Sequence, residues 1–152
     1  MAQIVVEMEY PHSPARVWRA LTDPRAIAAW LMDNDFAPHV GHRFTFRTTR
    51  APGFDGIVRC EVLEVDEPRR LVYRWAGGGI DTTVTWTLTP SPDGTHLRLV
   101  HDGFRGLKGR MIKRILEKGW RSKILVSSLP RVLSELEPVT RTAGSGWEAG
   151  SA

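Results

Sequence analysis

The order of hydrophobic and polar positions predicts a strand, two short helices, a run of strands and a long helix. Residues 3–9 are rich in β-branched side chains and loosely alternate, which predicts the first strand. Ser13-Pro14 and Asp23-Pro24 each place a capping residue before a proline suited to the first helical turn. Two short helices are therefore predicted, the first ending at Asp23-Pro24 and the second covering Pro24 to Leu31.

After Leu31 the hydrophobic pattern changes to period 2, which is typical of strands. Alternating segments cover 56–66, 70–76, 81–89 and 95–102, after a shorter one at Phe44 and Phe46. Three glycines at 77–79 and the sequence Pro92-Asp93-Gly94 predict tight turns between them. Neighbouring strands with short connections predict one antiparallel sheet with one buried face.

Apolar residues recur at helical spacing from Leu107 to Leu136, which predicts a long C-terminal helix. A step of about 100° per residue puts the following apolar residues on one side: Met111, Ile115, Val126, Leu129, Leu133 and Leu136. The opposite side is basic, with Arg110, Lys113, Arg114, Lys118 and Arg121. Pro130 is expected to kink or break the helix near Ser127-Ser128.

These elements fit one α+β domain over residues 1–137. A sheet with a single apolar face needs a cover, and the long helix can lie across its concave side. The two short helices, between strands one and two, can close one end. Residues 138–152 are small, polar and aperiodic, and we expect them to be a disordered tail.

Composition narrows the class of protein. The 152 residues are 41% hydrophobic and 25% charged, as in ordinary globular domains. No apolar run is long enough for a membrane span and the N-terminus does not resemble a secretory signal, so a cytoplasmic protein is expected, not an integral membrane protein. Cys60 is the single cysteine, which excludes an internal disulfide, and its strand position favours a buried, inert thiol.

The ordered set of residues resembles the SRPBCC superfamily, the START-like and birch-pollen-allergen-like helix-grip proteins. Within it, the chain is most similar to the bacterial family that resembles the C-terminal domain of the activator of the heat-shock-protein ATPase. The matching residues lie in five stretches: Ser13-Pro14 with Val17-Trp18, Ala20 to Pro24 with Trp30, Val40-Gly41 with Arg43-Phe44, Glu64 to Pro68 with Arg70 to Tyr73 and Trp75, and His101 with Gly103-Phe104 and Gly119-Trp120.

The resemblance implies a curved antiparallel sheet of about six or seven strands around the C-terminal helix. It also implies a cavity for an apolar or amphipathic ligand. Two positions depart from the family pattern. His42 replaces the second of two glycines before the second strand, and Pro130 interrupts a helix that usually continues.

The strand pattern and the resemblance suggest which side chains face the enclosed space. The candidate ligand-cavity residues are Trp30, Phe44, Phe46, Tyr73, Trp75, Trp86, His101, Met111 and Trp120. Aromatic walls with a few polar groups are typical of a small-molecule pocket, and they are equally typical of a filled core. Both interpretations stay open from sequence alone.

Two polar positions leave alternatives open. His101 shares a strand face with Leu97 and Leu99. Its ring nitrogens are therefore either hydrogen-bonded inside the core or in contact with a ligand. In the catalytic alternative His101 is a general acid or base, with Tyr73 as a helper. Arg59 and Glu61 face inward if the strand alternates regularly. A bulge before Val65 would turn both outward, and the cost of burying charge favours that arrangement.

Other chemistry lacks a matching pattern. The five histidines show no metal-ligand spacing, no phosphate-binding glycine loop precedes a helix, and no serine-nucleophile motif occurs. We therefore expect no metal and no cofactor.

Residues 108–131 carry eight basic residues and one acid, Glu117. This basic face is either solvated, or contacts an acidic protein such as a chaperone, or contacts anionic lipid headgroups. No nucleic-acid-reading motif accompanies it.

A carrier or sensor of a small apolar or aromatic ligand is the expected function. A cyclase- or hydrolase-type enzyme and a chaperone accessory are the alternatives that the resemblance implies.

Overall fold

A computed structural model describes residues 2–136 of the chain. The strands are β1 (Ala2–Tyr10), β2 (Asp33–Asn34), β3 (Arg43–Arg47), β4 (Ile57–Asp66), β5 (Arg70–Gly77), β6 (Ile80–Ser91) and β7 (Gly94–Phe104). The helices are α1 (Pro14–Thr22), α2 (Pro24–Trp30), α3 (Gly106–Gly119) and α4 (Leu129–Glu135), with a π-helical segment (Trp120–Ser128) between the last two.

The strands form one antiparallel sheet in the order β1-β7-β6-β5-β4-β3-β2, so the first strand pairs with the last. The sheet curls around the C-terminal helix, and the two short helices follow β1. The helix-grip fold expected from the sequence is confirmed. The described residues end at Leu136, so the predicted tail at 138–152 lies outside them.

The two short helices begin where the sequence predicts. The Ser13 hydroxyl accepts a hydrogen bond from the Arg16 backbone N–H at 3.2 Å, and the Asp23 carboxylate accepts one from the Arg25 N–H at 3.0 Å. These caps satisfy donors that a helix start leaves free. The Trp30 indole N–H donates to the Ala20 carbonyl at 2.8 Å, which ties α2 to α1.

A bulge in β4 turns its charged residues outward. The pairing register with β5 shifts between Val62 and Glu64. Before the shift Cys60 and Val62 are buried, Arg59 is exposed, and the Glu61 side chain is 32% exposed. The bulged alternative is therefore the correct one. Cys60 is a buried thiol, as the sequence predicts, and burial raises its pKa.

The C-terminal helix does not break at Pro130. Helical backbone continues from Gly106 to Glu135, through the π segment that includes Ser127 and Ser128. The Leu129 N–H donates to the Ile124 carbonyl, five residues back instead of four. Of the two expected outcomes, a kink or a break, the break does not occur. The helix widens ahead of the proline, which relieves the clash that its ring would make in an α-helix.

The π segment also changes which face of the helix is buried. Three positions predicted on the inner face are mostly exposed: Met111 at 61%, Ile115 at 66% and Val126 at 54%. Two other positions predicted on the inner face, Leu129 and Leu133, are buried as expected, and Trp120 and Leu125 are buried with them. A π-helix has more residues per turn than an α-helix, so a count at the α-helical angle loses phase across this segment.

No helix within residues 2–136 is long and apolar enough to cross a membrane. Apolar surface in this part of the chain is buried mainly between the sheet, the short helices and the second half of the C-terminal helix.

Tyr10 compensates for the donor that Pro130 lacks. In π-helical hydrogen bonding the Leu125 carbonyl would accept from residue 130, and proline has no N–H. The Tyr10 hydroxyl of β1 donates to this carbonyl at 2.7 Å, and the bond is buried. The first strand therefore satisfies a backbone acceptor of the last helix.

We expect Tyr10→Phe to lower the free energy of unfolding by about 1–3 kcal/mol, because it leaves the buried Leu125 carbonyl without a donor. In a Pro130→Ala background the restored N–H can take over this role, so the same substitution should cost under about 1 kcal/mol. Urea unfolding of the four proteins measures both costs. Equal costs in the two backgrounds would show that Tyr10 and Pro130 are not coupled.

Candidate functional site

One part of the space between sheet and helix is filled by aromatic rings. Eight of the nine predicted cavity residues lie in this cluster: Trp30, Phe44, Phe46, Tyr73, Trp75, Trp86, His101 and Trp120. Ring centroids are 5.6 Å apart for Trp86 and Trp120, 5.9 Å for Trp30 and Trp86, and 5.3 Å for Phe46 and Trp75. These are ordinary distances for packed aromatic pairs, so the rings fill this region themselves.

Two further rings complete the cluster. Phe36 packs edge-on against Phe44 with centroids 5.0 Å apart, and Phe104 lies 4.8 Å from the His101 ring. Phe36 follows the short β2 strand, and Phe104 ends β7. Phe104 faces inward like Leu99 and His101, but it is three residues after His101 because the strand shifts by one residue at Gly103. A strict period of two therefore does not predict Phe104 as an inward residue.

His101 is fully buried and both of its ring nitrogens are satisfied. The Trp120 indole N–H donates to Nδ1 at 3.3 Å, and Nε2 lies 2.8 Å from the Thr82 hydroxyl oxygen. The Thr82 hydroxyl donates to the Trp75 carbonyl at 2.9 Å, so its proton is already in use. Nε2 therefore carries the imidazole proton and donates to Thr82, which makes His101 a neutral core histidine.

This environment keeps His101 uncharged. Burial lowers the pKa of His101 to about 3. A proton on Nδ1 would also face the indole N–H, which is a donor and not an acceptor.

Tyr73 is bound in the core in a similar way. Its hydroxyl accepts a hydrogen bond from the Trp86 indole N–H at 3.0 Å, and burial raises the pKa of Tyr73. The proposed acid–base pair of His101 and Tyr73 therefore lies within the packed cluster, with hydrogen-bond partners inside the protein.

The other part of the space is an open cleft of about 420 Å³ between α3 and the sheet. Its lining is formed by Met32, Thr48, Ala51, Pro52, Gly53, Phe54, Val58, Trp75, Gly77, Gly78, Ile80, Lys108, Met111, Ile112, Ile115 and Leu116. Thr48 and Lys108 supply the polar side chains of this lining. A mainly apolar, partly open cleft of this size suits a small molecule.

One wall of the cleft is the loop at 48–56, between β3 and β4, which we call the flap. Ala51 and Phe54 exchange two backbone hydrogen bonds, at 3.0 and 2.9 Å, and the Thr48 N–H donates to the Gly56 carbonyl at 2.8 Å. The Phe54 ring lies over the glycine turn, since a Cβ at Gly78 would be 3.6 Å from it. The flap is thus a closed, hydrogen-bonded hairpin that presents an aromatic ring to the cleft.

Of the nine predicted residues, Trp75 and Met111 line the cleft. Trp75 belongs to both regions, because its ring also packs 6.0 Å from Trp120. Sequence reasoning missed the flap and the glycine turn as walls. The available signal was Phe54, an aromatic residue between Pro52-Gly53 and Asp55-Gly56, where turn residues predominate.

Within residues 2–136 no three His, Cys, Asp or Glu side chains come together as a metal site would require. Glu117 pairs with Lys113 at 3.1 Å and with Arg121 at 3.0 Å, so part of the predicted basic face is neutralised within the helix.

The chain is a helix-grip protein of the SRPBCC superfamily, on the evidence of its fold, the order of its elements and its enclosed aromatic space. The sequence profile of the activator of Hsp90 ATPase homolog 1-like proteins matches residues 11–133. The chain belongs to this family. No match is found among curated protein sequences.

Solved structures agree with this assignment. The crystal structure of protein MLL2253 from Mesorhizobium loti is 37% identical with a TM-score of 0.79, and the match covers 90% of this chain and all of that one. Protein BH1534 from Bacillus halodurans shares the fold at 24% identity and TM-score 0.72, over 88% of this chain and 97% of that one.

DynU16, a putative protein of the dynemicin biosynthetic locus, is 27% identical with a TM-score of 0.68. The match covers 88% of this chain and 47% of DynU16.

His101 should make the protein less stable in mild acid. Its pKa falls from 6.5 in the unfolded chain to about 3 in the fold, so the unfolded chain binds the proton first. The stability that His101 contributes is present above pH 6.5 and is lost as the pH falls through the window down to about 3. Urea unfolding between about pH 7.5 and pH 5 should show a contribution of up to about 1.4 kcal/mol per pH unit, absent in His101→Gln.

His96 provides a control of opposite sign. The hydrogen bonds that the His96 ring donates to the Glu7 and Glu9 carboxylates raise the pKa of this partly buried histidine. Its contribution is therefore present at low pH and is lost as the pH rises through the raised pKa. His96→Gln should therefore steepen the loss of stability in acid. A His101→Gln protein with the wild-type pH dependence would contradict the assignment of a neutral buried imidazole.

Proposed function

We propose that the protein binds a small apolar or amphipathic molecule in the cleft between α3, the flap and the β5–β6 turn. The observation that carries the proposal is the apolar lining of this open cleft, next to a core that is already filled. Met111 and Ile115 are mostly exposed, and a ligand would cover them. Covering apolar surface is favourable by about 25 cal/mol per Å².

Binding is better supported than catalysis. His101 and Tyr73 do not line the cleft, and their polar atoms are engaged in the core. Lys108 is the titratable side chain in the lining. The biosynthetic locus of DynU16 agrees with a role in handling a small molecule.

A charge on the cleft wall should weaken binding. We expect Ile115→Asp to weaken an apolar ligand about tenfold or more, because the ligand would bury an unpaired carboxylate. Fatty alcohols, fatty acids and flavonoids serve as probes, and isothermal titration and the shift in melting temperature measure their binding.

Val126→Asp is the matched control. Val126 is an exposed apolar residue of the same helix and lies outside the cleft lining. Binding should survive in this variant. Absence of binding across all three probe classes in the wild type, or equal loss in both variants, would contradict the proposal.

A second candidate is contact with an acidic chaperone surface. Arg110, Arg114 and Lys118 are exposed on α3, and the family profile is named for an activator of the Hsp90 ATPase. Such an interaction should weaken with salt and fail in Arg110→Glu/Arg114→Glu. Co-sedimentation or titration with purified Hsp90 measures it, and no binding even at low ionic strength would exclude it.

A further inference from the structure

Lys108 is a cation at the edge of an apolar cleft. It lies in the first turns of α3 and its side chain is part of the lining. No ion pair or hydrogen bond of its ammonium group occurs within residues 2–136. By contrast, Lys113 of the same helix pairs with Glu117. The lysine at the cleft is therefore available to a ligand.

The Lys108 ammonium lies against the glycine turn between β5 and β6. A Cβ on Gly79 would be 2.5 Å from Nζ of Lys108 and 2.7 Å from its Cε, so the lysine occupies the space that a side chain would take. Gly79 has φ +91°, a conformation that glycine adopts without strain. The cation therefore lies beside the turn at the rim of the cleft, whose lining also includes Gly78 and Ile80.

The acidic groups near this rim are already engaged. Asp81, which follows the turn, accepts two hydrogen bonds from the Arg74 guanidinium at 2.8 and 2.7 Å. Asp55 of the flap accepts from the Ile57 N–H at 3.1 Å and pairs with Arg59 at 3.2 Å. The cleft lining itself contains no Asp or Glu among the described residues. None of these acidic side chains neutralises Lys108, which is the charged side chain of the described lining.

We propose that the ligand is an anionic amphiphile, with a carboxylate bound by Lys108 and an apolar chain or ring in the cleft. This inference rests on the proposed function, since it assigns the chemical class of the molecule in the same cleft. One unpaired ammonium matches a singly charged headgroup, and the apolar lining beyond it matches the remainder of the molecule. A neutral amphiphile of the same length would occupy the cleft without the ion pair.

Dodecanoate and 1-dodecanol separate the two contributions, because they share a chain and differ in charge. Isothermal titration above neutral pH measures both affinities in the wild type, in Lys108→Met and in Lys118→Met. Methionine keeps an apolar stem of similar length without the charge. Lys118 is an exposed lysine of α3 outside the cleft lining, which makes its variant the control.

The wild type should bind dodecanoate roughly threefold to fivefold more tightly than dodecanol, the range expected for a solvent-accessible ion pair. This preference should disappear in Lys108→Met, persist in Lys118→Met and shrink at high ionic strength. Dodecanol binding with no preference for dodecanoate, or a preference retained in Lys108→Met, would overturn this inference while the proposed function stands. Failure of both probes in the wild type would overturn both.

Discussion

The indole of Trp120 determines how the long helix meets the sheet. It packs against Trp86 and Trp75 and donates a hydrogen bond to His101, so helix, β5, β6 and β7 meet at one buried ring. Trp120 begins the π segment, and the helix beyond it presents a different face to the sheet. The half after Trp120 seals the core, while the half before it leaves apolar residues facing an open cleft.

The core and the cleft obey different physical constraints. In the core every ring needs a packing partner and every buried polar atom needs a hydrogen bond, which accounts for the series from Trp120 through His101 and Thr82 to the Trp75 carbonyl. In the cleft, apolar side chains remain in contact with solvent, which costs free energy that a ligand could recover. An exposed apolar surface of this kind is typical of a binding site.

Much of the fold could be predicted because its signals are local. Capping pairs at Ser13 and Asp23, period-2 strands and turn residues each determine structure over a few residues. The inner face of the C-terminal helix could not be predicted, since the α-helical angle does not hold across the π segment and the Leu125 carbonyl in that segment bonds to Tyr10, which is distant in sequence. Periodicity also identified which rings are inside without showing that they fill the space. That outcome depends on their three-dimensional packing.

Trp75 separates the two regions, with one part of its ring in the cluster and another in the lining. Its neighbours Phe46 and Trp120 pack against it, so the inner end of the cleft is a close-packed aromatic surface. The outer end is built from a loop and from lysine and methionine side chains, which can adjust. Ligand selection would then depend on the bulk of the part of the ligand that reaches Trp75. The length of the part that projects out of the cleft would be tolerated.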